Sequence, residues 1–514
     1  VQRIVSIAVC IFAFAFPRIF IGCRQGTLGT CPEGQIDFQA PAPEPVTVQD
    51  VPRPPSVKRW ITPRFSPDGQ WIAFSFTGTD SPDKSSIGII RPDGTGFQCL
   101  SCFSGINTSH PDWFGDMQRM LVRSGDPQIP FYILDRAASV LYPITGVTTG
   151  LEENRFPVLS PDEKKLVWTK VRTDGFHIVM GNLVTDTAGY HVEDVRLLYP
   201  PPMTNEEDPE QWGWAGAWYE AKSFTDGGKS LFFSGSRDQG GNLDGYLLDL
   251  ETGVVIRVTN HPEWDEGGQF SPDGQWLVFE TTRAHDVLSV VATVPIPPFV
   301  DFALVLPVTN ITLSGPMFAP HEPYLLDRTG DRGKYFGQRL SAAGDEGWAI
   351  RGAVYWHHDG TKVVWGELLN PTEDDTRIRI ATLVSRHPVA SLPVRPTPTP
   401  QWAPLMEDVP PRADKIRKTL RGKSFGSAVL DIDGTILSGT FTMSFNNYSW
   451  DGQNILNGMM KISVPVLGKA QWSGDIRLSG CHTGFVKIDM DIDKKTVKGR
   501  MVSEMDGVKH EKTF

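Results

Sequence analysis

One ten-residue stretch is written twice almost without change, as Phe65-Ser66-Pro67-Asp68-Gly69-Gln70-Trp71-Ile72-Ala73-Phe74 and as Phe270-Ser271-Pro272-Asp273-Gly274-Gln275-Trp276-Leu277-Val278-Phe279. Proline presets φ for a tight turn, glycine accepts a positive φ at its exit, and the flanking apolar residues alternate as in half-buried strands. The unit is strand, turn, strand, and it cannot bury its own apolar faces. Weaker copies run Trp113 to Val122, Leu159 to Trp168, Phe224 to Phe233 and Trp356 to Trp365. The six copies begin 48, 46, 65, 46 and 86 positions apart. The shorter intervals match the ~40–45 residues of a four-stranded propeller blade, and the longer two leave room for insertions. Such repeats close into a ring.

The repeat resembles that of the TolB-like, WD40-like β-propeller family at Ser66-Pro67-Asp68-Gly69, Ser160-Pro161-Asp162 and Ser271-Pro272-Asp273-Gly274, and in the approach Val258-Thr259-Asn260-His261-Pro262. Copies two, four and six depart from it, with Phe114-Gly115-Asp116, Thr225-Asp226-Gly227 and His357-His358-Asp359-Gly360. The resemblance covers residues 58–395. It implies an all-β ring of six blades, or seven if residues 285–350 supply another. A ring of six closes either with a strand from the N-terminal side, for which Ser56 to Ile61 is the candidate, or by packing alone. The resemblance implies a scaffold rather than a chemistry, since one propeller serves binding proteins and enzymes alike.

The chain has 514 residues, 40% of them hydrophobic, enough for a large core and two or three domains. A formal net charge of −11 argues against a general nucleic-acid binder, which needs a basic face to displace counterions. Residues 1–23 read as an export signal: Arg3, then an almost wholly apolar run from Ile4 to Phe16 that is short for a bilayer span. Phe20-Ile21-Gly22-Cys23 resembles a bacterial lipobox, which makes Cys23 a candidate for lipidation; an ordinary cleaved signal is the alternative. The protein is therefore expected to be periplasmic or anchored as a lipoprotein, or else secreted, with membrane contact only through such an anchor. In that oxidising compartment Cys99 and Cys102 can close a small disulfide. A zinc site there would need two further ligands that are not nearby, so no metal is expected.

Residues 24–57 are proline-rich and read as an extended tether, and residues 396–414 continue a proline-rich linker that starts near Pro388. The last domain, 415–514, has alternating segments joined by Gly, Asn and Asp turns, and reads as a small antiparallel sandwich or meander. Val429-Leu430-Asp431-Ile432-Asp433-Gly434-Thr435 resembles the first motif of haloacid-dehalogenase-type phosphatases, but only strand-patterned chain follows where a doubly wound α/β core would be required. About 110 residues follow the propeller, too few for the catalytic domain of the serine hydrolases that propellers guard. No catalytic set, cofactor or metal site is assigned.

Two groups of residues remain as binding candidates. The innermost strand of a blade faces the channel, and the residues just before each hairpin are His110, Arg155, Glu220, Asp265, Glu266 and Arg351. The insertion Tyr199 to Glu220 carries Trp212, Trp214, Trp218 and Tyr219 beside four acids, a composition suited to a sugar or a peptide as well as to a loop folded over a blade. A second insertion, Phe318 to Trp348, and the pair His357-His358 read as solvated loop and turn. The expectation is an exported binding or scaffold protein of the cell envelope with a protein or glycan partner. The alternative is an enzyme, a lyase or hydrolase, acting on an oligosaccharide or peptide in the channel.

Overall fold

The computed structural model describes residues 40–147, 153–205, 208, 211, 218–297, 320–341, 345, 347–369, 375–435, 438–465, 469–493 and 496–514. The protein is all-β, and its larger part is a β-propeller. Sheet I is built from Val57–Phe65, Ile72–Gly78, Ser85–Ile90 and Gln98–Cys99. Sheet II, Thr108–Trp113 to Val140–Thr145, and sheet III, Glu153–Leu159 to Gly189–Tyr199, are stitched together where Tyr190 and His191 pair in parallel with Ile144 and Thr145. Sheet IV begins with Tyr219–Thr225, sheet V with Asp265–Phe270 and sheet VI with Trp348–Trp356. These six first strands touch one another in cyclic order, the last against the first, so they surround the axis.

The repeated turn explains why its sequence recurs. Ser66 Oγ donates to Asp68 Oδ1 at 2.5 Å and accepts from Trp71 N at 3.0 Å, while Gly69 sits at φ 69°. Ser160 with Asp162, and Ser271 with Asp273, make the same latch at 2.6 and 2.5 Å. The side-chain bonds hold the strands at hairpin register, and the apolar residues beyond them, such as Ile72 and Phe74 or Leu277 and Phe279, are fully buried between sheets.

The ring is closed by Val46–Asp50, which pairs antiparallel with Thr376–Leu383 as the outermost strand of sheet VI. This differs from the expectation that Ser56 to Ile61 would close it. Val57–Phe65 instead opens sheet I, because Val57, Trp60 and Phe65 are all buried and belong at the interior of a ring. Val46–Asp50 alternates half-buried and exposed residues, which suits a sheet edge. The stretch read as a tether thus contributes strands to the propeller.

The proline-rich stretch after sheet VI is a strap rather than a free spacer. Val389 N donates to Asp359 O, Leu392 N to Pro272 O and Arg395 N to Gly227 O, at 2.9, 2.9 and 3.0 Å. Thr397 N then donates to Asp162 Oδ2 at 2.8 Å. The strap therefore follows the repeat turns of sheets VI, V, IV and III in succession. It continues past Arg196, which donates to Ala403 O, to Asp174, which accepts from Arg412 N.

The C-terminal strands, from Lys415–Arg421 to Val508–Thr513, form one eight-stranded antiparallel sheet in strictly sequential order. One residue in two points inward, including Leu430, Ile432, Met443, Trp472 and Ile488, and this face gathers into a single core. That core continues into the propeller through Phe176, Trp218, Trp264 and Val290. A short helix, α1 (Ser289–Ala292), packs against the last two strands, and buried Glu263 fixes its start by accepting from Leu288 N and Ser289 N at 2.7 and 2.8 Å. Cys99 and Cys102 are joined by a disulfide at the end of sheet I. Among the described residues no helix is long and apolar enough to cross a membrane.

Candidate ligand site in the channel

Every first strand breaks register at the same place. The breaks lie between Ile61 and Arg64, Ser109 and Asp112, Arg155 and Val158, Ala221 and Ser223, Asp265 and Gly268, and Ile350 and Val354. A bulge inserts an unpaired residue and re-aims its neighbours. Here Thr62, His110, Phe156 and Ala353 take positive φ values of 54°, 52°, 49° and 82°, which are costly for residues with a Cβ and are held by the ring around them. The bulges aim side chains from all six sheets into one cavity of about 360 Å³.

Five of the six residues expected at the channel line this cavity: His110, Arg155, Glu220, Glu266 and Arg351. Asp265 does not. It accepts from Thr281 Oγ1 at 2.6 Å and from Arg283 Nη2 at 2.5 Å, and Arg283 in turn pairs with Asp331 at 2.6 Å. The bulge directly after Asp265 sends Glu266 to the axis and Asp265 into the blade, so strict alternation misplaces one of any two neighbours.

Lys222 stands between two carboxylates, with Nζ 2.6 Å from Glu220 Oε2 and 3.2 Å from Glu266 Oε1. Its ammonium also lies 4.8 Å from the centre of the Phe156 ring. Glu266 accepts a second bond from Trp264 Nε1 at 3.0 Å. Burial opposes its ionisation, but the Lys222 ammonium and His321 outweigh that and draw its pKa down to about 2. Burial pushes Glu220 the other way, upward, against the pull of Lys222. Lys222 is itself stabilised as a cation: the two carboxylates overcome its desolvation.

Glu280 and His321 complete this side of the cavity, and Glu280 was not singled out in the sequence as a channel residue. Glu280 is 5% exposed, accepts no hydrogen bond among the described residues, and has His321 Nδ1 4.0 Å from its Oε2. Burial first, and the neighbouring Glu266 charge second, raise it to about 8, so it is a neutral acid at pH 7. Gly267 makes room for it, since a Cβ there would lie 2.6 Å from Glu280 Oε1. Burial lowers His321 to about 4 and His110 to about 3, leaving both imidazoles neutral. The only hint in the sequence was a charged residue placed directly after the apolar end of a repeat, at Glu280.

The remaining wall is cationic. Arg64 pairs with Asp112 and donates to Tyr355 Oη at 3.0 Å, and Arg155 and Arg123 both bind Glu153, at 2.6 and 2.7 Å. Arg351 lines the same side. The cavity thus carries carboxyl groups on sheets IV and V and guanidinium groups on sheets I, III and VI.

Two of the four aromatics expected to anchor a partner are buried. Trp218 is 6% exposed and packs against Phe176 and Trp264, with ring centres 4.6 and 5.4 Å away, and Tyr219 is fully buried with its hydroxyl donating to Ser236 O at 3.0 Å. Tyr219 opens the first strand of sheet IV and Trp218 directly precedes it, where aromatic area belongs in the core. Trp212, Trp214 and Cys23 lie outside the described residues. His357, read as an exposed turn residue, is 9% exposed and packs edge-on against Phe65. Among the described residues no three His, Cys, Asp or Glu side chains are grouped to hold a metal ion.

No family model matches the chain. A curated relative, the uncharacterized protein Atu1656 of Agrobacterium fabrum, is 33% identical over 84 residues, 16% of this chain, and the chain spans 25% of that protein's length. A putative TolB from Agrobacterium tumefaciens aligns with a TM-score of 0.40 at 18% identity, over 58% of this chain and 84% of that one. TolB from Acinetobacter baumannii aligns with a TM-score of 0.38 at 17% identity, over 62% and 65%. An oligogalacturonate lyase in complex with manganese aligns with a TM-score of 0.39 at 12% identity, over 70% and 97%. Likenesses of this degree carry no argument about ligand or activity. The repeated turns and the ring of sheets are those of a β-propeller.

Proposed function

We propose that this protein is an exported binding protein of the cell envelope, a six-bladed propeller whose channel receives a small polar ligand or a polar group of a partner. The observation that carries the reading is the bulge-built cavity of about 360 Å³, lined by ionisable side chains from all six sheets. That is the size of a small-molecule pocket, and convergent polar groups in such a pocket are what orients a ligand. The C-terminal sheet, joined to the ring through Trp218 and Trp264, is a fixed platform beside the channel. In this reading the Tyr199 to Glu220 stretch, with Trp212 and Trp214, faces a protein or glycan partner, and Cys23 carries a lipid.

The test is a thermal-shift screen of peptides, sugars and metabolites against the full chain and against Arg351→Gln. A ligand that raises Tm only with the native channel supports the reading. Ligands that stabilise both proteins equally remove the channel from it. Palmitate labelling lost in Cys23→Ser, and an envelope pull-down lost in Trp212→Ala, test the anchor and the partner face.

A second reading, an enzyme acting in the channel, is favoured by Glu280 and His321 alone. A neutral carboxylic acid beside a neutral imidazole is set up for general acid–base work. Turnover of an oligosaccharide or peptide that disappears in Glu280→Gln and in His321→Ala would establish it.

A further inference from the structure

We infer that the channel takes a ligand bearing a primary ammonium group, seated against Glu280, Glu266 and His321 on the side of sheets IV and V. The inference rests on the reading of the cavity as a ligand site and names the chemistry of its ligand. Three carboxyl groups converge there, from the first strand of sheet IV, the first strand of sheet V and the second strand of sheet V. Lys222 serves two of them, Glu220 and Glu266, at hydrogen-bond distance. Glu280 is the third, and among the described residues no hydrogen bond reaches it, while the imidazole 4.0 Å away is neutral.

A carboxyl group that is buried, lines a cavity and lacks a donor is an incomplete pair. Gly267 clears space at its Oε1, and the absence of a side chain there is what lets the acid reach the cavity edge. His321 Nε2 likewise has no partner. An ammonium ion fits these groups because it brings three donors and one charge, and Glu280 can match that charge by giving up its proton. The groups facing Glu280 are Glu220 and Lys222 from sheet IV, Glu266 from its own sheet, His321, and Arg351 from sheet VI. Before binding, Lys222 already bridges Glu220 and Glu266, and Glu280 stays protonated and waits for a cation. An anionic ligand would meet three acids on this side, and a divalent metal lacks a third ligand at bonding distance among the described residues.

The balance is one proton out for one cation in: R–NH3+ enters, Glu280–COOH becomes carboxylate, and the proton goes to buffer. Calorimetric titration of the full chain at pH 7 with n-butylamine, n-butanol and sodium butyrate, repeated in buffers of different ionisation enthalpy, reads both binding and proton release. Butylamine should bind, with close to one proton released, and its affinity should rise as pH rises toward 8. Glu280→Gln should weaken it about tenfold or more, the worth of a charge-assisted bond, and abolish the release. Glucosamine and glycinamide, titrated in parallel, tell an amino sugar from a peptide amino end. Binding of butyrate or butanol but not butylamine, or amine binding without proton release, overturns the inference and leaves the channel as a ligand site. If none of the three probes binds and Trp218 emission does not change, the channel reading falls with it. The pH series on the unaltered protein decides the matter even if the variant fails to fold.

Discussion

The backbone N–H of Thr397 donates to Oδ2 of Asp162 across 2.8 Å, while Oδ1 of the same carboxylate accepts from Ser160 Oγ at 2.6 Å. One aspartate of the repeat therefore serves both the turn it belongs to and the strap that crosses it. Asp68, in the first copy, has the same latch to Ser66, and among the described residues no strap bond reaches it. The repeat supplies a docking site that only some blades use.

Asp162→Ala should cost about 1–3 kcal/mol, because it leaves a strap N–H and a turn hydroxyl without acceptors. Asp68→Ala should cost less, losing the turn latch alone. Urea denaturation of the two variants compares them, and equal losses would mean that the strap contributes nothing at Asp162. The sign with pH follows from the same bonds. Burial raises Asp162 but the bonds from Ser160 and Thr397 outweigh it and hold it below the ordinary carboxylate value. Its contribution is present above the unfolded pKa and is lost as pH falls through the folded one, so the two proteins should converge in acid.

Lys222→Met should destabilise the protein by about 3–5 kcal/mol, since it strands two buried carboxyl groups. Adding Glu220→Gln should recover part of that loss, as the charge to be compensated is then removed. A double-mutant cycle by chemical denaturation measures the coupling, and strict additivity would contradict the geometry.

Glu280 sets a different pH dependence. Its folded pKa of about 8 lies above that of an unfolded glutamate, about 4.3, so the folded state holds a proton the unfolded state has released. That contribution is full below the unfolded value and is lost as pH rises through about 8. The difference in Tm between the native protein and Glu280→Gln should therefore shift against the native protein from pH 5 to pH 8 and level off above. His110 and His321, buried neutral, act in the opposite sense below about 6.5, and comparing the two proteins cancels them. A flat difference would place Glu280 in water.

Gln49→Pro should open the ring at its seam. Gln49 pairs with Ile380 in the closing strand, two residues from the pair in which Val51 N donates to Ile378 O, so its N–H is a ladder donor that proline removes. A loss of about 1–3 kcal/mol is expected, with earlier proteolysis at the N-terminal side. Gly267→Ala should act at the channel instead, because its Cβ would lie 2.6 Å from Glu280 Oε1 and from Ala353 Cβ. The first variant should lower Tm with little effect on ligand binding, and the second should reduce ligand binding more than Tm.

What the sequence determined by itself was everything set by neighbours in the chain. Ser66-Pro67-Asp68-Gly69 makes its turn from its own side chains, and the alternation from Leu430 to Ile492 specifies a sheet with one buried face. The repeat spacing gave the scale of a blade, and five channel residues could be named because they precede their hairpins. Only the tertiary structure decided which of two adjacent acids, Asp265 or Glu266, looks into the channel, because bulges shift parity and form where neighbouring strands crowd the axis. It also decided that Val46–Asp50 and not Ser56 to Ile61 closes the ring, that Trp218 and Tyr219 are core, and that the proline-rich stretch is a strap. Each of these depends on pairing between residues far apart in the chain. No local propensity encodes the partner of a hydrogen bond 235 residues away.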